Sequence, residues 1–506
     1  MSCTVKCRSQ RPWTSDNGCI RAATPAMTVP TNLRTIDPAR LGDAEFRAEY
    51  SLKYAYTAGA MYKGIASEAL VVAMARAGLI GYFGTGGLTI PKIDAAIESI
   101  QSQVAADQPV GMNLLHNIDQ PGLEDRTVDL FFSRGIRFVE AAAYMDVAPS
   151  VVRYRLRGLT RGPGETIRAP HFVLAKVSRP EVARAFMSPA PEAIVRELVA
   201  AGRLTSQEAE LGRRIPVASD ICVEADSGGH TDQGVAYALM PAMLHLRDQM
   251  MLQYSYEKRI RVGAAGGIGS PEAAAAAFIL GADFITTGSI NQCTVQAGTS
   301  DSVKDMLQEI NVQDTAYAPA GDMFESGAKV QVLRKGVFFP GRANKLYELY
   351  MRHDSLDEID RQTRKQIEEK YFRRSFEDVW LETKNYYSRI HPGFEKSELS
   401  PKRKMALVFK WYFIHTTRLA MRGVEEDRVN YQVQCGPALG AFNQWVKGTA
   451  LESWRNRHVG EIGERMMKGA AAVLTKRYAE MTLTATVGSS SALLDGDRLI
   501  SVRELA

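Results

Sequence analysis

Between about residues 50 and 290, short apolar runs alternate with longer stretches whose apolar positions recur every three to four residues. Short runs of this kind read as buried strands and the longer period as amphipathic helices. Strands are expected at residues 54–59, 79–83, 110–115, 138–143 and 171–177, at a run beginning with Ile221, and at 260–265 and 284–287. Helices are expected at residues 67–77, 90–104, 124–134, 191–201, 205–213 and 271–280. Eight strands separated by helical segments over about 240 residues predict an α/β chain folded as a (β/α)8 TIM barrel. An open, doubly wound sheet is the alternative. The count of units, and small-residue loops after the last two strands, favour the barrel.

The pattern changes after residue 300. A strand is expected at residues 329–333. From residue 342 to about 478 the chain is helical, aromatic and rich in charge, with helical spacing at 356–372 and 405–421. Four segments follow: a leader at 1–45, read as disordered; the barrel at 46–340; a mainly helical portion at 341–480; and a Ser- and Thr-rich tail at 481–506. No internal repeat is evident.

Composition adds modest limits. The chain has 506 residues, 45% hydrophobic and 24% charged, as in an ordinary globular protein. A net charge of +5 is too weak to argue for nucleic acid and would suit an acidic protein partner. No run of 18 or more apolar residues predicts a membrane span, and the leader lacks the apolar segment of a secretory signal. Cys3, Cys7 and Cys19 lack a fourth metal ligand at a standard spacing, so no metal is expected. Six cysteines in a chain this long suggest free thiols and a cytoplasmic setting.

The candidate chemistry gathers at the ends of the expected strands, where barrel enzymes carry their sites. Val223-Glu224-Ala225-Asp226-Ser227-Gly228-Gly229-His230-Thr231-Asp232 runs from a strand into two glycines and a histidine. Glycines let a flat ligand approach the backbone. Histidine titrates near neutral pH. The plain alternative is a turn with a solvated histidine. Residues 261–271 then give strand, glycine loop and helix start: Ser270 can cap and Pro271 can occupy the first turn. Free amides and the helix dipole there suit an anion. Residues 283–290 add a strand ending in Thr287-Gly288-Ser289. Gly266 and Gly267 do not form a GxGxxG fingerprint, so a single phosphate fits better than a dinucleotide. Met61, Asn113, Glu140 and Lys176 also fall at strand ends.

These stretches resemble the PfaD-type trans-acting enoyl reductases of polyketide and polyunsaturated fatty acid synthases, relatives of the flavin-dependent nitronate monooxygenases and the FabK-type enoyl reductases. The resemblance rests on residues 59–61, 64–68, 113–116, 175–179, 224–232, 263–269, 287–292, 322–325, 331–333 and 435–438, and covers about residues 50–475. It implies an FMN-binding barrel that uses NADPH to reduce the α,β-double bond of enoyl thioesters on an acyl carrier protein. A homodimer is among the assemblies it allows. Carried over by motif, FMN would meet Gly59, Ala60, Met61, Asn113, Lys176, Ser227, Gly228 and Gly229. Its phosphate would meet Gly266, Gly267, Thr287, Gly288 and Ser289.

On this reading Lys176 stabilises the reduced, anionic cofactor by charge. His230 is the acid that protonates the α-carbon, or a donor to the thioester carbonyl. Glu140 balances local charge, and Asp226 orients its own loop. Lys402, Arg403, Lys404 and Lys410 could face an acidic carrier protein, or simply be solvated. Two rival functions remain. A nitronate oxidase would share the barrel, but the long helical portion is unneeded for so small a substrate. A scaffold subunit without catalysis would have no need of the glycine loops and His230.

Overall fold

A computed structural model of the protein describes residues 35–117, 121–390, 393–394 and 399–488. Cys3, Cys7 and Cys19, most of the expected leader and the end of the expected tail lie outside the described residues. Residues Thr35–Lys476 form one compact unit.

Eight parallel strands close into a barrel, so the open-sheet alternative falls. They are β1 (Tyr56–Ala58), β2 (Ile80–Phe83), β3 (Gly111–Leu115), β4 (Phe138–Ala142), β5 (Phe172–Val177), β6 (Asp220–Glu224), β7 (Arg261–Ala265) and β8 (Ile285–Thr287). Closure is direct: Tyr56, Thr57 and Ala58 pair with Ile285, Thr286 and Thr287. Seven of the eight lie within the expected runs and β6 starts one residue early, because a strand buried on both faces reads as an unbroken apolar segment.

The barrel interior is aromatic at one end and polar at the other. Before β1 the helix Ala44–Glu49, capped by the Asp43 carboxylate, inserts Phe46 and Tyr50 into the end where the strands begin. The Phe46 ring stacks on Phe284 at 4.4 Å, and Tyr50 on Phe138 at 4.5 Å. Buried charge is paired there: Arg261 Nε donates to Asp220 at 2.5 Å, Tyr50 Oη donates to Asp220 at 2.7 Å, and Arg261 lies 2.8 Å from Glu49. Two strand glycines make the rings fit. A Cβ on Gly111 would lie 2.3 Å from the Tyr82 ring, and one on Gly263 would lie 2.3 Å from Phe284.

Sequence periodicity missed several elements. The 19-residue helix Ala236–Tyr254 carries Pro241 in its second turn, which reads as a stop. The strands Gly229–His230 and Thr315–Pro319 join Lys329–Leu333 in a small antiparallel sheet beside the barrel. A two-residue strand has no period to detect. The helical spacing at 356–372 is not one helix. A short turn at Leu356–Glu358 stands apart from the helix Arg361–Gln366, which Asp360 starts afresh by accepting from the Thr363 N–H and which runs on as a wider, π-helical stretch over Ile367–Phe372.

Beyond the small sheet, the helices Phe339–Arg352, Phe376–Ile390 and Pro401–Arg422 gather a second apolar cluster around Phe324, Phe339, Phe409 and Phe413. The chain then returns: Gln434 bridges to Val332, and the helix Pro437–Val446 follows.

Replacing Gly263 with Ala should overpack the ring layer, since Phe284 is held by Phe46 and cannot step aside. A loss of about 1–3 kcal/mol is expected, read as a lower urea midpoint at unchanged slope. A midpoint equal to wild type would show that the ring has room.

Candidate functional site

Glu140 sits in β4 with none of its surface exposed. One carboxylate oxygen accepts from the Ala60 N–H at 3.1 Å, just past the end of β1. The other lies 3.6 Å from Lys176 Nζ and has no hydrogen-bond partner. Lys176, on β5, also lies 3.5 Å from Glu224 at the end of β6, and Glu224 accepts from Ser227 Oγ at 3.1 Å. A lysine between two carboxylates thus crosses the barrel mouth. Burial pushes the Glu140 carboxyl up, with Lys176 and the Ala60 N–H opposing. Burial also works against charge on Lys176, but Glu224 and Glu140 outweigh it and hold the ammonium above its ordinary range.

Asn113 stands beside this chain of charge. Its Nδ2 donates to the Glu140 backbone carbonyl at 3.0 Å, and its own backbone carbonyl accepts from Thr85 Oγ1 at 2.8 Å. Gly59 donates its N–H to the Thr287 carbonyl at 2.9 Å, tying β1 to β8. Met61 packs partly buried, and its carbonyl would collide with any Cβ on Gly84.

The glycines divide into two groups. Gly266 and Gly267 adopt φ of 85° and 73°, and beyond them Ser270 caps the helix Pro271–Ile279 as expected. No atom lies within 4 Å of where a Cβ would stand on Gly267 or Gly288, so both face open space. Gly228 is different: its Cβ would meet the Cys435 backbone at 2.7 Å. Its smallness admits the returning chain. Ser289 Oγ is also engaged there, accepting from the Gly436 N–H at 2.9 Å. The Thr287 hydroxyl is 2.6 Å from Tyr56 Oη. At these two residues the side-chain hydroxyls already have partners within the chain.

His230 follows Gly229, whose φ is 94°. Pairing of Gly229 and His230 with Gln331 and Val330 fixes the short strand. The imidazole is half exposed, and its Nε2 is 3.0 Å from Asp322 Oδ1. Desolvation draws its pKa down, but the hydrogen bond and charge of Asp322, with Glu224 further off, lift it above the usual value. Asp226 accepts from Tyr317 Oη at 2.5 Å and from Thr231 Oγ1 at 2.8 Å, which holds the loop as expected.

The basic residues of the helical portion are engaged within the chain. Lys402 donates to the Tyr350 and His353 carbonyls, Arg403 pairs with Glu325, and Lys410 donates to Glu325 at 3.1 Å. Lys404 stands 5.4 Å over the Trp380 ring. Aromatic, carbonyl and carboxylate neighbours, invisible in a linear charge run, absorb them. Glu224 and Asp322 are the partners that residue-by-residue reading left without a role. Both lay in recognised motifs, but Asp322 is 92 positions from His230.

The enoyl reductase domain of MlnA from the macrolactin biosynthesis cluster of Bacillus amyloliquefaciens is 46% identical, with a TM-score of 0.84, over 88% of this chain and 99% of that domain. The chain belongs to the PfaD-type enoyl reductase family. It is 57% identical to polyketide biosynthesis protein PksE of Bacillus subtilis over 87% of its length, and 55% identical to polyketide biosynthesis protein ThaF of Burkholderia thailandensis over 89%. It spans only 57% of PksE and 39% of ThaF. FabK of Thermotoga maritima shares the fold at 16% identity and a TM-score of 0.51, over 86% of this chain and 98% of that one. Residues 353–431 match the helical domain inserted in [acyl-carrier-protein] S-malonyltransferase. Among the described residues no helix is long and apolar enough to cross a membrane, and no cluster of side chains could hold a metal ion.

Lys176→Met would leave Glu140 buried without its cation. Breaking such a pair costs about 3–5 kcal/mol. Burial raises the folded Glu140 pKa and Lys176 opposes that rise, so in the variant the pKa climbs further, and the cost of Glu140 is absent below the ordinary carboxyl range and grows as pH rises toward the raised value. The variant's urea midpoint should therefore fall more at pH 8 than at pH 5, and adding Glu140→Gln should recover part of the loss. Equal losses at both pH values would show that Lys176 does not neutralise Glu140.

Proposed function

We propose that this chain is a trans-acting reductase of carrier-protein-bound enoyl thioesters in polyketide or polyunsaturated fatty acid synthesis, dependent on FMN and NADPH. The observation that carries this reading is the match to nearly the whole of the MlnA enoyl reductase domain. The barrel mouth supports the flavin. Gly267 and Gly288 leave open space where a side chain would stand, the helix Pro271–Ile279 starts directly after the Gly266-Gly267 loop, and Glu140 keeps an unpartnered buried oxygen beside Lys176.

Bound there, FMN would pass hydride from NADPH to the β-carbon of the enoyl thioester. The remaining work falls to the chain. Lys176 keeps its ammonium at the mouth because two carboxylates hold the charge on, and its N–H groups are donors for a ligand brought within reach. Gly266 and Gly267 offer backbone amides to its phosphate. Since Nε2 of His230 is engaged by Asp322, Nδ1 is the nitrogen that holds the transferable proton for the α-carbon. After transfer the ring keeps its Nε2–H bond to Asp322 and needs no rearrangement.

The acyl carrier protein as partner is supported by the helical segment's likeness to a domain of an acyl-carrier-protein transferase.

The test is anaerobic NADPH consumption with a short enoyl thioester on a carrier protein or a pantetheine mimic, with identification of the saturated product. His230→Ala should keep its flavin and lose about 10²–10⁴-fold in alkene reduction, the usual worth of a positioned acid. Unchanged turnover in that variant would remove His230 from the chemistry. Wild-type protein that reduces no thioester but takes up oxygen with an alkyl nitronate would overturn the reductase reading.

A further inference from the structure

We infer that Asp322 is a positioning residue for His230, setting the orientation and protonation of the imidazole from a turn that the helical insertion holds in place. The inference rests on the reading of His230 as the proton donor.

An exposed histidine–carboxylate contact is ordinarily weak, because two mobile side chains must be held together in water. Here both backbones are fixed before the side chains meet. His230 lies in a strand paired with Val330. Asp322 lies in the connection between Thr315–Pro319 and Lys329–Leu333, and the second of these is the strand that His230 pairs with. One small sheet therefore carries acid and partner, and their 3.0 Å contact follows from its register.

The turn is anchored on its far side. Phe324 is fully buried against the rings of Tyr350 and Phe413, at 5.2 and 5.5 Å. Gly321 is pressed so close to the helix Pro401–Arg422 that a Cβ there would stand 2.6 Å from Phe413 Cβ. Gly327 closes the turn with a φ of 72°. From the same helix Lys410 donates to the Asp322 carbonyl at 3.3 Å and to Glu325 at 3.1 Å, and Arg403 pairs with Glu325. The helical insertion thus reaches the reacting histidine through one turn.

The charged groups acting on His230 are Asp322 on this turn and Glu224 and Lys176 at the barrel mouth. Lys410, Glu325 and Arg403 stand behind Asp322, and Tyr62 feels its charge. Asp322 is the carboxylate hydrogen-bonded to the ring, so it is the partner whose removal should change the titration most.

The experiment compares wild type, Asp322→Asn and Asp322→Glu in the full flavin-loaded chain. Histidine ring carbons are labelled for NMR titration, with His230→Ala assigning the signal, and kcat for alkene reduction is measured against pH. In Asp322→Asn the His230 titration should move to lower pH, and the alkaline limb of kcat should move with it. A midpoint lower by one pH step leaves about tenfold less imidazolium at any pH above both midpoints. Flavin content and KM should stay near wild type, and Asp322→Glu should restore much of the limb. An unmoved His230 titration overturns the inference. So does a moved titration with an unmoved rate limb. If wild type reduces no enoyl thioester while the titration still moves, the fault lies in the reading of the reaction and not in the pairing.

Discussion

Glu140 has no exposed surface and still carries a carboxylate, and much of the barrel mouth is arranged around that fact. Removing a charge from water is costly unless it is paired and hydrogen-bonded. The pairing here draws on four strands besides its own. The Ala60 N–H comes from the end of β1, Lys176 from β5 and Glu224 from β6, while Asn113 of β3 holds the Glu140 carbonyl. A shift of any of the strands that carry these side chains by one residue would turn the polar group to the outer face and leave a charge stranded. The paired charges of the mouth therefore also specify the register.

The opposite end solves a different problem with different means. Phe46 and Tyr50, brought by a helix before the first strand, fill the barrel with stacked rings, while Gly111 and Gly263 give up side chains to admit Tyr82 and Phe284. This layer is closely packed around the Arg261–Asp220 pair, and it supports the polar layer above it. Thr57 and Thr286, joined at 2.7 Å, and Cys222, whose thiol burial pushes up to about 12, lie between the two. Stability is concentrated where the strands begin and candidate chemistry where they end, a division common to barrels of this kind.

The barrel was legible because its strands are continuous apolar runs separated by capped helices. Ser270 accepts from the Ala273 N–H as its position suggested, and Ser67 likewise from the Leu70 N–H. Lys176 could be placed near a strand end from that alternation alone, whereas Asn113 and Glu140, also expected at strand ends, stand in the middle of their five-residue strands. Three things could not be read that way. That Gly228 faces protein and not open space depends on Cys435 and Gly436, some two hundred residues after it. The partner of His230 arrives by a sheet one of whose strands is two residues long. The positive run around residue 403 looked like a surface because the carboxylate and aromatic groups that absorb it are distant in sequence. Each is a long-range contact, and local periodicity carries no record of such contacts.

The most direct test of a flavin-dependent barrel mouth is the identity and amount of flavin released when the purified chain is denatured, read by chromatography against standards. FMN, stoichiometric with the chain, is the expected result. Protein stripped of flavin should take FMN up again, and Lys176→Met should take it up more weakly. A chain that carries no flavin and fails to bind added FMN would contradict the assignment at its centre, whatever the fold resembles.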